Sequence, residues 1–225
     1  MYFTSRAEAG KKLAATIPQY DASEVIVIAL SEGAVIVGQE IALALGCPLT
    51  LLLSENIHLP GEQSNIGTVI QDGNFAYDNT LSSGEVEEYY AEFHSYIEDQ
   101  KREKFEKINR LLGEEGTLHP EQLRNKILIL VSDGLKTGTS LEAAHLFLKP
   151  IQVKRLIIAT PIASVQAVDR MHILADELHC LGVTENYITT NHYYDQNTLL
   201  SHEQIVQVLH NMQPRNNNQD LFATS

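Results

Sequence analysis

KILILVSDGLKTGTS, residues 126–140, decides how the rest of the chain is read. Its aliphatic run shows no polar alternation, which is how a strand covered on both faces reads. Behind it come Ser132, Asp133 and Gly134, then a Gly/Thr turn that enters a helix over residues 140–148. In open α/β sheets, ligands bind in the crevice beyond the carboxyl ends of the strands. A glycine turn placed there exposes successive backbone N–H groups, and the helix N-terminus adds partial positive charge. Thr137, Thr139 and Ser140 supply hydroxyl donors. The segment reads as a phosphate cradle, with Asp133 set to accept hydrogen bonds from hydroxyls beside the phosphate. It is not a Walker loop, because Lys136 precedes the last glycine at the wrong spacing. Lys136-Thr137-Gly138 also lacks the Ser-x-x-Lys and Ser-Asp-Asn partners that penicillin-binding enzymes need. A plain turn with an N-cap is the alternative; the full pattern Asp-Gly-x-x-Thr-Gly-x-Ser behind an aliphatic run favours the cradle.

Working outward, residues 24–30 (EVIVIAL) form a second strand buried on both faces, followed by Ser31-Glu32-Gly33 and a small-residue helix over 34–45 that Gly46 and Pro48 close. This is another strand, loop and helix with a glycine at the corner. Further strands are expected at 49–53, 66–70, 155–160 and 177–181, and helices at 5–15, 164–175 and 201–212. The first helix is announced by the capping-box spacing Ser5-Arg6-Ala7-Glu8. Residues 54–65 and 71–82 are polar and turn-rich, hence loops. From 85 to 112 a long charged helix carries one apolar stripe of Val86, Tyr90, Phe93, Ile97, Phe105, Ile108 and Leu112. Glu98–Arg102, Glu103–Lys107 and Glu106–Arg110 stand at i,i+4 in the favourable orientation, and Gly113 ends the helix. Strands alternating with helices predict an α/β fold with a central, mainly parallel sheet and helices on both faces. One domain is expected over 1–212 with a helical insertion at 82–116, followed by a disordered tail over 213–225.

With 16 basic and 29 acidic side chains among 225 residues, the formal charge is −13. An acidic surface argues against nucleic acid or an anionic membrane as partner, though not against a small phosphorylated ligand that needs only local amides. Cys47 and Cys180 are too few for a disulfide scaffold and match no zinc spacing. No HxxxH or HExxH pattern supports a metal site. His172 and His179 are read as surface or packing residues, and the two cysteines as buried thiols. No signal-peptide core or membrane-length apolar run is present, so the expected setting is cytoplasmic. The charged helix is open to three roles: a homodimer contact, a hood over the site, or a solvated insertion.

The cradle segment resembles the phosphoribosyl-pyrophosphate loop of type I phosphoribosyltransferases, an aliphatic strand, two acidic residues and a Gly/Thr-rich turn. The likeness extends to FTSRAEAGKKLA (3–14), VIVIALSEGAVIVGQEIALALGCPLTLLL (25–53), LPGEQSNIGTVIQDG (59–73), RLIIATPIASVQAVDRMHILADELHCL (155–181) and NHYYDQ (191–196), all similar to a branch of predicted bacterial phosphoribosyltransferases. The resemblance implies a transferase that uses phosphoribosyl pyrophosphate (PRPP) with Mg2+. A nitrogen of a base displaces pyrophosphate from C1 of the ribose. By position, Asp133 is the catalytic carboxylate and holds the ribose hydroxyls together with Ser132. Gly134, Lys136, Thr137, Gly138, Thr139 and Ser140 surround the 5′-phosphate. Ser31, Glu32, Gly33 and Ala34 form the pyrophosphate loop, and Tyr194 sits where the branch has an aromatic near the site's mouth. Asp133 is the only side chain set to touch the metal directly.

The pattern departs from the branch at three places. Ser132 replaces the first of two acidic residues. Glu32 stands where the branch carries a basic residue, so a carboxylate faces the pyrophosphate charge. Glu55-Asn56 replaces an Arg-Lys pair, while Glu62 remains. Together these changes leave the pyrophosphate loop degenerate and the 5′-phosphate cradle intact. The expectation is a phosphoribosyltransferase-like protein that binds a phosphorylated ribose more readily than it transfers it. The alternative is a non-catalytic nucleotide or phosphoribose sensor. Lys136 is the one cation in the loop that could compensate.

Overall fold

Aliphatic residues on both faces of a strand require cover above and below it, and the fold supplies both layers. The computed structural model describes residues 2–61, 65–78, 80–112 and 118–213. In chain order the elements are α1 (Arg6–Ala14), β1 (Val25–Ala29), α2 (Glu32–Leu45), β2 (Leu49–Leu51), β3 (Ser54–His58), β4 (Asn65–Ile70), β5 (Phe75–Tyr77) and α3 (Ser83–Leu112). They continue with α4 (Pro120–Leu123), β6 (Ile127–Val131), α5 (Thr139–Leu148), β7 (Arg155–Ser164), α6 (Val165–Leu174), β8 (Glu177–Thr184) and α7 (His202–Asn211). Five strands pair in the order β2-β1-β6-β7-β8, all parallel. β6 lies at the centre with every residue buried. Leu13, Val35, Ile41 and Ile205, from α1, α2 and α7, cover one face over Val27, Ile129 and Ile157. Leu141, Phe147 and Met171, from α5 and α6, cover the other over Ile28, Leu130 and Ile158.

Register places the site. Ala29 of β1 lies opposite Val131 of β6, and Val131 lies opposite Ala159 of β7. The loops that follow β1 and β6 therefore leave the sheet side by side, which brings residues 31–34 against residues 132–134.

The region read as loop is partly a sheet. Residues 54–58 form β3, and residues 75–77 form β5, on either side of β4 in a separate antiparallel sheet of order β3-β4-β5. The sequence SENIH hides this because β3 buries Ile57 alone. Its stability comes from ladder bonds to β4 and from Thr68 Oγ1 donating to Asn56 Oδ1 at 2.8 Å. Such an edge strand has no hydrophobic alternation to read.

α3 packs on this sheet. Its backbone leaves helical geometry at Phe93 (φ −113°, ψ 20°), so two helical segments meet there. Ile97, Ile108 and Leu112 of the expected stripe are buried. The expected i,i+4 ion pairs are replaced by i,i+3 pairs, Lys101–Glu98 at 2.8 Å and Arg102–Asp99 at 2.5 Å, while Lys107 reaches away from the helix to Glu55. The helix end at Gly113, Glu62, and the tail beyond Gln213 lie outside the described residues. Elsewhere the boundaries shift modestly: β7 and β8 run past residues 160 and 181, and α5 starts at Thr139. Among the described residues, no helix is long and apolar enough to cross a membrane. Cys47 is buried, which pushes its thiol up to about 11, and half-buried Cys180 donates to the Gly182 carbonyl.

Candidate functional site

The cradle is anchored before it opens. Ser132 Oγ accepts from Gly134 N–H and donates to Gly134 O, at 3.2 and 3.0 Å, tightening the exit from β6. Leu135 is buried and exchanges backbone bonds with β7, accepting from Ser164 N–H and donating to Ile162 O. Ser164 Oγ then donates to the Lys136 carbonyl. Past this anchor the loop turns through Gly138, which holds the left-handed conformation (φ 81°, ψ 7°) that favours glycine and serves as N-cap of α5. Its carbonyl accepts from Leu141 and Glu142 N–H. Among the described residues, the amides of Lys136, Thr137, Gly138, Thr139 and Ser140 donate to no protein acceptor. A run of unpaired donors at a left-handed turn and a helix N-terminus is the kind of backbone arrangement that can receive an anion. Thr137 Oγ1 and Thr139 Oγ1 lie 2.7 Å apart, so one hydroxyl is oriented by the other. The nearby acidic residue of α5, Glu142, is raised in pKa by burial and paired with Arg170 at 2.9 Å.

The loop forms one wall of a cavity of about 440 Å³. Ser54, Glu55, Asn56 and His58 of β3 and Lys104 of α3 form the other wall. Glu55 therefore borders the cavity of the 134–140 loop. The structure changes its meaning, because its carboxylate is met by Lys107 Nζ at 2.6 Å and Lys104 Nζ at 3.8 Å. The positive charge missing from the Arg-Lys position returns from another element.

Asp133 takes a different place from the rest of the loop. It is 8% exposed, and its carboxylate is held from two sides. Arg6 Nε donates to Oδ2 at 2.8 Å and Ser31 Oγ donates to Oδ1 at 3.0 Å. Arg6 is itself 3% exposed and also donates to Asn191 Oδ1 at 2.7 Å. The guanidinium lies over the Tyr194 ring, 4.6 Å from its centroid, while the Tyr194 hydroxyl donates to the Asp133 carbonyl. Burial pushes the Tyr194 phenol far up, so it stays a donor. Tyr194 is thus a buried prop beneath Asp133. Tyr187, also raised by burial, to about 12, stands against Gly134.

Ser31 caps α2, its hydroxyl accepting from Ala34 N–H. Gly33 is forced by proximity: a Cβ built there would lie 2.2 Å from Asp133 Oδ2. Glu32 borders a separate small cavity of about 100 Å³ beside Leu51, Leu53, His202 and Leu209. The structure therefore brings Gly134, Lys136, Thr137, Gly138, Thr139 and Ser140 to one cavity wall, and brings Ser31, Gly33 and Asp133 together in a neighbouring buried cluster. Neither Asp133 nor residues 31–34 line the cradle cavity. The groups expected nearest a metal are partly committed within the protein: each Asp133 oxygen accepts one bond, from Arg6 Nε or Ser31 Oγ, and the Ser132 hydroxyl is spent on Gly134.

Arg6, Asn191, Lys104 and His58 were not singled out from the sequence. Arg6 did carry a signal. It shares the buried face of α1 with Ala9, Gly10 and Leu13, the i, i+3, i+4, i+7 spacing of a core stripe, and a charge on that stripe requires a buried partner. Of the histidines, His172 is exposed on α6, while His179 is held by Glu177 and Thr16.

Comparison with known proteins agrees with this architecture. Residues 4–196 match the phosphoribosyl transferase domain. A Mycobacterium tuberculosis protein, provisionally named a phosphoribosyl transferase, is 27% identical over 213 residues, which cover 92% of this chain and 46% of that protein. The chain thus spans about half the length of this relative. The crystal structure of TT1426 from Thermus thermophilus shares the fold, with a TM-score of 0.69, 24% identity, and coverage of 94% of this chain and 99% of that one. The parallel sheet with helices on both faces, the glycine corner after its central strand and the match over most of the length converge: the chain belongs to the phosphoribosyl transferase domain family.

Proposed function

We propose that the cavity binds the 5′-phosphate of a phosphoribosyl ligand and that the protein acts as a phosphoribosyltransferase on PRPP, with a nitrogenous base as acceptor. The observation that carries this reading is the run of unpaired amides from Lys136 to Ser140 at the N-terminus of α5, with hydroxyls from Thr137, Thr139 and Ser140 around it. Charge-assisted bonds from such amides to phosphate oxygens are roughly twice as strong as neutral ones. Mg2+ enters this proposal with the diphosphate rather than on a protein carboxylate, and no catalytic step is assigned to it.

A second reading, a phosphoribose sensor without transfer, is favoured by one specific observation. The carboxylate expected to hold the ribose hydroxyls is already paired with Arg6 and Ser31. A ligand held by phosphate alone needs no ribose carboxylate.

Calorimetric titration separates the two. PRPP bound more tightly with Mg2+ than without, and more tightly than ribose 5-phosphate, supports the transferase. Equal affinities with no Mg2+ effect support the sensor. Absence of binding by either ligand refutes both. Lys136 is exposed on the cradle loop. Lys136→Ala is expected to weaken either ligand by roughly threefold, the effect of one solvent-exposed charge on a phosphate; an unchanged affinity would show that the amides act alone.

A further inference from the structure

We infer that Lys104 is a ligand-binding residue that exchanges its resting partner, Glu55, for a second phosphate group of a ligand whose first phosphate occupies the cradle, while Lys107 keeps Glu55 neutralised. The inference rests on the phosphate reading of the cradle and adds to it a residue on α3.

Three observations carry it. The first is place: Lys104 lies on the cavity wall made by β3 and α3, facing the wall formed by residues 134–140. The second is the inequality of the two ion pairs. Lys107 Nζ makes a hydrogen bond of 2.6 Å to Glu55 Oε1, whereas Lys104 Nζ stands 3.8 Å from Oε2 and forms no hydrogen bond with it. An ammonium has three donors, so Lys104 is held near the cavity by charge, with its donors uncommitted among the described residues. The third is charge balance. Two lysines share one carboxylate, which leaves a unit of positive charge on the cavity wall of a chain whose formal charge is −13. The field of the whole molecule repels an arriving anion, so a local cation matters more here than on a neutral protein. A cavity of about 440 Å³ also has room for more than the phosphate group that the cradle amides surround.

The exchange predicts a pattern of signs that a merely structural role for α3 would not produce. Inorganic pyrophosphate and inorganic phosphate are titrated calorimetrically against the full chain and its variants. Lys104→Ala is expected to weaken pyrophosphate about tenfold, the scale of one charge-assisted contact, and phosphate by less than about threefold. Glu55→Gln releases Lys104 and tightens pyrophosphate several-fold. Lys107→Ala leaves Glu55 to Lys104 alone and weakens it, and adding Glu55→Gln to Lys107→Ala reverses that loss. Lys104→Ala with wild-type affinity for pyrophosphate overturns the inference and leaves the cradle reading standing. So does a Glu55→Gln variant that weakens pyrophosphate, or an equal loss of both ligands in Lys104→Ala. A wild-type chain that binds neither anion refutes the cradle reading, and this inference with it.

Discussion

Arg6→Ala is expected to lower the stability of the folded chain by about 3–5 kcal/mol, the cost of leaving one member of a buried ion pair without its partner. The chain offers the remaining carboxylate little relief. Asp133 would keep a single side-chain donor, Ser31 Oγ at 3.0 Å, in surroundings where it is 8% exposed. Asn191 would lose its donor as well, and the face of Tyr194 its cation. Arg6→Lys should recover only part of the loss. The guanidinium serves Asp133 through Nε and Asn191 through another nitrogen, and a compact ammonium does not reproduce that fork. The measurement is urea unfolding, with a lower midpoint at an unchanged slope. A double-mutant cycle with Asp133→Asn should then show strong coupling, the double variant costing less than the two singles together. Additive losses would show that the pair contributes through packing rather than charge.

Gly33→Ala is the second large effect, and its sign is informative. Alanine is the better helix former by about 0.8–1 kcal/mol in a helix interior, and although Gly33 is only the second residue of α2, propensity alone still points toward a mild stabilisation. The geometry predicts the reverse. The added methyl would stand 2.2 Å from Asp133 Oδ2 and 2.9 Å from Arg6 Nε, and neither group is free to swing away. Overpacking a well-filled site costs about 1–3 kcal/mol, and here the upper end is expected because the displaced group is a paired charge. Thermal unfolding checks it. Measured in an Asp133→Ala background, the further cost of Gly33→Ala should be smaller than in the parent, because the truncated side chain no longer reaches the methyl and only Arg6 Nε remains close. A Gly33→Ala protein as stable as the parent would mean that the cluster can separate without penalty.

The parts of the fold that were legible are those whose signal is local. β1, β6 and β7 are read from aliphatic runs because a strand buried on both faces has no other composition available to it. The turn before α5 is read from Gly138, because a left-handed turn at a helix start favours glycine. β3 is not legible: only Ile57 is buried, and its cohesion comes from a ladder with β4. The same distinction governs the site. Glu55 reads in sequence as a lost cation, since the lysines that answer it lie some 50 residues further on, and the spacing of Lys107 suggests pairing with Glu103 along the helix instead. Asp133 reads as a free ligand carboxylate, because Arg6 is 127 positions away and nothing local reports the contact. Charge and turn chemistry are written next to where they act; partnership across the fold is not.

The clasp around Arg6 also orders events during synthesis. Phe3 N–H donates to the Tyr193 carbonyl, Asp195 N–H to the Phe3 carbonyl, and Gln196 N–H to the Thr4 carbonyl. A nascent chain emerges with its N-terminal end first, and domains of this size tend to fold as units. Arg6 therefore leaves the ribosome long before Asp133, and Asn191 follows later still. α1 can dock on α2 early, but the guanidinium stays in water until the last sheet strand and the segment after it arrive to enclose it. Contacts of such sequence separation are slow to form, so maturation of this corner waits for residues 191–196, and a stalled chain ending before residue 191 would carry its cradle with Arg6 lacking its Asn191 and Tyr194 contacts.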